Sequence, residues 1–287
     1  MPRRKLLVFL CVPAFLVASA AAVLASNKAA GDALGFYVWK YTSGKAKSSG
    51  YVSVMKGRVY YETYGSGRPV LILHGGLARL ESMKHQIRAL AETHLVIAAD
   101  SRGHGRSSDA AEGLTYSRMA DDMIELLEAL HIKTADVVGW SDGGIIGLEL
   151  AMRFPDRVRR LVVIGGNYDV DGLVELPDPS AEPPRRSGWW RRDEPDPEHW
   201  AALYRKVATM WRTEPHYSTA DLAKIKAPTL VMAGEFDVIR RAHTDQLAKS
   251  IEGSREEIIA EGSHSLINDQ PGVVNDRILR FLDDPAL

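Results

Sequence analysis

The sequence predicts an α/β domain: a mostly parallel, doubly wound sheet with helices on both faces and a helical lid inserted between two strands. Two features carry this prediction. Short aliphatic runs recur along the chain, each too uniformly apolar for a sheet with one wet face. Segments with apolar residues at helical spacing fall between them. With 287 residues and 45% hydrophobic content, the chain can bury one sizeable core, and open α/β domains reach this length undivided.

The elements follow in order. Arg3, Arg4 and Lys5 precede an uncharged stretch over 6–24, which ends in small residues at Ala18-Ser19-Ala20 and Val23-Leu24-Ala25. A basic head, an apolar run and such an end predict a signal peptide over 1–25 and export to the periplasm or medium. The alternative is a retained anchor, since 19 apolar residues can just span a bilayer. The single cysteine, Cys11, lies inside this stretch, so the mature chain would carry no thiol and no disulfide. Residues 26–50, rich in Ala, Gly, Ser and Lys, read as a flexible tether, and the folded domain is expected over 51–287.

Lys56-Gly57 between 52–54 and 59–61 predicts a hairpin. Buried strands are expected at 70–73, 95–99, 137–138, 161–164 and 229–232, with a weaker one at 258–259. Helices are expected over 116–130, over 145–154 as far as Pro155, and over 273–282. The region from about 168 to 220 has no clear strand, holds Trp189, Trp190, Trp200 and Trp211, and is helical only over 199–211. An insertion of this length is either a lid or disordered, and four tryptophans available for burial favour the lid.

Charge excludes some partners. A net charge of −1 from 36 basic and 37 acidic residues leaves no global field for nucleic acid or acidic lipid. The expected partner is a small molecule, with no membrane contact for the mature domain unless 6–24 stays as an anchor. No His-x-His-x-Asp-His or His-Glu-x-x-His spacing occurs, so neither a metal nor another cofactor is expected.

Gly139-Trp140-Ser141-Asp142-Gly143 fits G-x-S-x-G and lies between an expected strand and an expected helix. A strained turn there lifts a serine oxygen out of the sheet, and the helix N-terminus places positive potential beside a forming oxyanion. A serine needs a base, and the base needs an acid. Asp237 and His264 each follow an expected strand, in the chain order this arrangement uses. Glu235 is a rival acid two residues earlier. His85, His131, His199 and His243 lie in helical or lid patterns, and His94 and His216 precede structure with no matching acid in sequence.

His74-Gly75-Gly76-Leu77 follows another strand, so the oxyanion hole is expected to combine the N–H of Asp142 with that of Gly76, or of Leu77 if the loop is shifted. His74 reads as a structural residue, and 100–107 as a tight loop behind the serine. The Asp142 side chain has two readings: it complements the helix N-terminus, or it pairs with a substrate cation. Trp140 is a further candidate for substrate contact.

In this order and spacing, HGG, DSRGHGRS, GWSDGG, GEFD and EGSH resemble the α/β-hydrolase superfamily across 51–287. The stretch GWSDGG, Phe154-Pro155 and Ile164-Gly165-Gly166-Asn167 is similar to the biphenyl-hydrolase-like branch, which includes valacyclovir hydrolase. The resemblance implies Ser141 as nucleophile, Asp237 as acid, His264 as base, and a helical cap between Asn167 and Pro228. The amino-acid esters cleaved within that branch also imply a cation partner for Asp142. Val238-Ile239-Arg240-Arg241 departs from the proline-containing turn usual after the acid.

The expected activity is hydrolysis of a small ester, lactone, thioester or activated amide through an acyl-enzyme. A cofactor-free perhydrolase or a carbon–carbon bond hydrolase could use the same three residues. A catalytically silent binding module is the reading from another class, since a fold does not fix function.

Overall fold

The computed structural model describes residues 28–109, 113–184 and 197–287. The expected signal or anchor segment, Cys11, Trp189 and Trp190 lie outside the described residues.

Among the described residues eight strands form one sheet: β1 (Ala46–Val54), β2 (Gly57–Gly65), β3 (Arg68–Leu73), β4 (His94–Ala99), β5 (Ala135–Trp140), β6 (Val158–Ile164), β7 (Thr229–Phe236) and β8 (Arg255–Ser263). Their order is β1-β2-β4-β3-β5-β6-β7-β8. The β1–β2 hairpin and the β2–β4 pair are antiparallel; every later pair is parallel. The helices are α1 (Lys28–Thr42), α2 (Lys84–Leu90), α3 (Tyr116–Ala129), α4 (Asp142–Arg153), α5 (Pro197–Thr213), α6 (Thr219–Leu222), α7 (Arg241–Ser250), α8 (Leu266–Asp269) and α9 (Pro271–Leu282).

The aliphatic runs are apolar throughout because alternate side chains enter two cores. Leu71, Leu73, Val137, Leu161, Val163 and Val231 face one side, with Met119, Met123 and Leu126 of α3 and Ile145 and Leu148 of α4. Val70, Ile72, Val138, Val162, Ile164 and Met232 face the other, with Ile87 of α2 and Ile278 and Phe281 of α9. At roughly 25 cal/mol per Å² of apolar area removed from water, each such side chain stabilises the fold by about 1.5–3 kcal/mol.

One expectation is corrected. Residues 28–42 form a helix and β1 starts at Ala46, so from residue 28 onward the segment expected as a flexible tether over 26–50 is regular structure. Phe36 is buried and stacks on Trp39 at 5.7 Å, and the Trp39 ring packs 5.6 Å from Tyr64 of β2. Lys40 donates to the buried carboxylate of Glu62 at 2.6 Å. Residues 36, 39 and 40 share one helical face, but their partners lie more than twenty residues downstream. No helix among the described residues is long and apolar enough to cross a membrane.

Between β6 and β7 the chain makes a short turn at Val170–Gly172 and then α5 and α6. Its described residues contribute no strand to the sheet. Asn167, Leu173, Val174, Glu175, Pro177 and Trp211 from this segment line a cavity at the carboxyl ends of the parallel strands, where ligands bind in open α/β sheets.

Candidate active site

The turn from β5 into α4 places Ser141 at φ 54°, ψ −121°, a strained backbone for a residue with a side chain. The glycines around it make the turn feasible. A Cβ at Gly139 would collide with the Gly143 carbonyl, and one at Gly143 with the Leu73 carbonyl. Both obstacles are backbone, so neither can move aside cheaply.

Asp237 follows β7 and His264 follows β8, so adjacent parallel strands deliver both to Ser141. His264 Nδ1 lies 2.7 Å from Asp237 Oδ1, and His264 Nε2 lies 3.0 Å from Ser141 Oγ. Because only Nδ1–H can satisfy the carboxylate, Nε2 is left to accept the serine hydroxyl proton. Asp237 also accepts from the Ile239 N–H at 3.0 Å and, more weakly, from the Gly234 N–H at 3.3 Å. Burial opposes ionisation of Asp237, but the bond to His264, its charge and these N–H groups outweigh burial and hold the carboxyl below its usual range. Glu235 points elsewhere and accepts from the Glu261 N–H at 2.9 Å. Gly165, at φ 59°, leaves the room in which His264 and Asp237 meet.

Of the two candidate N–H groups after β3, that of Leu77 is committed to His104 Nε2 at 3.1 Å. Among the described residues no hydrogen bond engages the N–H of Gly76 or of Asp142. Both residues line the cavity with Ser141 and His264. The structure brings together Ser141, Asp237, His264, Gly76, Asp142 and Trp140, while Leu77 is turned aside. Trp140 lines the cavity, and its Nε1–H donates to the His264 carbonyl at 2.8 Å.

Asp142 fits neither sequence reading in full. Its Oδ1 accepts from Tyr116 OH at 3.0 Å and from Trp211 Nε1–H at 2.7 Å, so it links α3, α4 and α5. Its Oδ2 is buried without a hydrogen-bond partner among the described residues. Burial pushes the carboxyl up to about 6, against the opposing bonds from Trp211 and Tyr116. A Cβ at Gly76 would strike Asp142 Oδ2 and the Trp211 ring, so the second glycine of HGG is required by this packing.

Two histidines excluded for want of an acid do have one nearby. His216 Nδ1 lies 2.9 Å from Asp169 and His94 Nε2 lies 3.4 Å from Asp283, and neither pair lines the cavity that holds Ser141. Tyr116, Leu173, Val174, Pro177 and Ile239 were missed from the site, because they reach it through tertiary contacts that leave no local pattern.

The α/β hydrolase fold model matches residues 68–178. The putative carbamate hydrolase RutD of Azorhizobium caulinodans is 30% identical over 252 residues, covering 78% of this chain and 94% of that protein. The chain belongs to the α/β-hydrolase family. The human serine hydrolase BPHL is 28% identical over 245 residues, 78% of this chain and 82% of its own. Among solved structures, the N-acyl homoserine lactone degrading enzyme Est816 superposes with a TM-score of 0.68 at 28% identity, covering 81% of this chain and all of that one. This chain is a hydrolase.

Proposed function

We propose that the protein is a serine hydrolase that cleaves a small ester, lactone, thioester or activated carbamate or amide through an acyl-enzyme. The observation that carries this reading is the unbroken hydrogen-bonded line from Ser141 Oγ through the His264 ring to Asp237. Ser141 Oγ attacks the substrate carbonyl carbon as its proton passes to His264 Nε2, and the Asp237 carboxylate stabilises the resulting imidazolium. The tetrahedral oxyanion accepts from the N–H groups of Gly76 and Asp142 at the start of α4. His264 then returns the proton to the leaving oxygen, sulfur or nitrogen. Water repeats the sequence on the acyl-enzyme and releases the acid. A carbamate hydrolase and a lactone-degrading enzyme among the similar proteins support carbonyl chemistry of this breadth.

The cavity, about 560 Å³, is walled by Leu173, Val174, Pro177, Trp211, Val238 and Ile239, which favours an apolar acyl or alkyl group. A panel of p-nitrophenyl and thio-esters of increasing acyl length tests the reading. Turnover should be measurable in the wild type and fall by about 10⁴-fold or more in Ser141→Ala. Undiminished turnover in that variant would sink the proposal.

The unpartnered Oδ2 of Asp142 favours a second, finer reading in which a substrate ammonium pairs with this carboxylate. The approach requires the surrounding groups to yield, since Oδ2 is buried beside Gly76. A charged hydrogen bond of about 1.5–3 kcal/mol corresponds to an advantage on the order of 10- to 100-fold for an aminoacyl ester over its des-amino analogue. Equal rates for the two esters exclude it.

A further inference from the structure

The loop after β3, which carries Gly76, is fastened to the loop after β4 by three hydrogen bonds between backbone N–H groups and side chains. Ser101 N–H donates to His74 Nε2 at 2.9 Å, Leu77 N–H to His104 Nε2 at 3.1 Å, and Leu80 N–H to Asp100 Oδ1 at 2.8 Å. The middle bond bears on catalysis. His104 is buried, and its Nδ1 lies 2.9 Å from the Arg102 carbonyl oxygen, which can only accept. Nδ1 therefore carries the ring proton, and Nε2 presents a lone pair to Leu77.

Leu77 adopts φ 57°, a left-handed backbone that costs a non-glycine residue about 1–2 kcal/mol. It follows two glycines, Gly75 and Gly76, whose backbones have the widest conformational choice of any residue. Gly76 must also stay small, because a Cβ there meets Asp142 and Trp211. No side chain at 75 or 76 can restrain the peptide whose N–H is offered to the oxyanion. The carbonyl of that same peptide, Gly75 O, accepts from His74 Nδ1–H at 2.7 Å and from the Ala78 N–H at 3.2 Å, and the His104 ring adds a hold on the next peptide along.

We propose that His104 is a positioning residue for the oxyanion hole: by taking the Leu77 N–H, it fixes the left-handed turn and leaves the Gly76 N–H as the donor to the oxyanion. The inference rests on the serine-hydrolase reading above. It assigns a function to the His of DSRGHGRS that a tight loop alone does not require. A donor aligned on the forming oxyanion is worth little in the ground state and much in the transition state, so loss of its alignment falls on kcat.

The test compares His104→Asn with His104→Gln in the full chain. An asparagine amide reaches the position of Nδ1 and keeps the Arg102 contact but cannot accept from Leu77. A glutamine oxygen reaches the position of Nε2 and can. In His104→Asn, kcat on a p-nitrophenyl ester should fall about 10- to 100-fold, less than the roughly 10²–10³-fold of losing an oxyanion donor outright, because the donor is misaligned and not removed. Affinity for an alkylboronic acid, which forms a tetrahedral adduct on the serine, should fall by the same factor. KM and binding of the product acid should hold within about twofold. His104→Gln should recover kcat to within about fivefold of wild type. A folded His104→Asn with wild-type kcat, or a glutamine variant as impaired as the asparagine one, overturns the proposal. If the asparagine variant does not fold, the glutamine variant and the imidazole ¹⁵N spectrum of the wild type still decide. A proton on His104 Nε2 in that spectrum refutes the arrangement. Wild type that neither turns over esters nor reacts with a fluorophosphonate overturns the parent reading and this one together. A reactive wild type with an indifferent asparagine variant overturns this one alone.

Discussion

The floor of the cavity and its cover are held in different ways. On the floor, Ser141, Asp237 and His264 stand beyond β5, β7 and β8, whose parallel pairing sets their spacing. Gly139 and Gly143, on either side of Ser141, are fixed by backbone contacts that admit no side chain. The cover, residues 168–177 and α5, adds no strand to the sheet. It is joined to the floor by isolated links: a bridge between Leu173 and Ile239, the Val174 N–H to the Val238 carbonyl at 2.9 Å, and Trp211 on Asp142. Arg240 adds hydrogen bonds to the carbonyls of Asp171 and Leu173. Damage to the floor should therefore abolish chemistry, whereas damage to the cover should shift selectivity and binding.

The largest expected effect is on the floor. Asp237→Asn keeps the shape but lets an amide face His264 Nδ1, which favours the wrong tautomer. Its kcat should fall by roughly 10⁴-fold with little change in thermal stability. A loss under tenfold would mean that His264 does not depend on this acid.

The seam between floor and cover should respond to pH. Asp142 titrates near 6 when folded and near about 3.9 when unfolded, so the native state holds its proton more tightly. The native state is then penalised as pH rises from the unfolded value through 6, and fully above it. Asp142→Asn removes that penalty. It should raise the unfolding free energy by up to about 3 kcal/mol at pH 8 and by almost nothing below pH 4. A denaturant titration at the two pH values checks this. A gain of equal size at both would show that the carboxylate is not the source.

The departure from the usual proline-containing turn after Asp237 has its physical reason in the cover. Val238, Ile239 and Arg240 pair with 172–174, and the Arg240 N–H donates to the Gly172 carbonyl at 2.8 Å, a bond that proline could not make. Arg240→Ala should loosen this edge and raise KM for long-chain esters about threefold, equivalent to roughly 0.6 kcal/mol, with kcat unchanged. An unchanged KM would show that the remaining backbone pairing suffices.

What was legible in the sequence follows the same division. The strands, the elbow glycines and the order of Ser141, Asp237 and His264 were readable because local periodicity and local sterics specify them. Gly76 and Leu77 could not be separated, since the deciding partner, His104, lies on another loop. The helix over 28–42 is not legible in the sequence, because its alanines and glycines blur the apolar face that Phe36 and Trp39 make against Tyr64. The walls of the cavity come from contacts across the β6–β7 insertion, which no local pattern records.

The central claim is that Ser141 is a nucleophile activated by His264, and a fluorophosphonate probe measures that directly. The wild type should gain the mass of one phosphonyl group, and peptide mapping should place it on Ser141 in the 139–143 turn. His264→Ala should react slower by orders of magnitude, roughly 10³-fold or more. An adduct on another residue, or equal labelling without His264, would contradict the account.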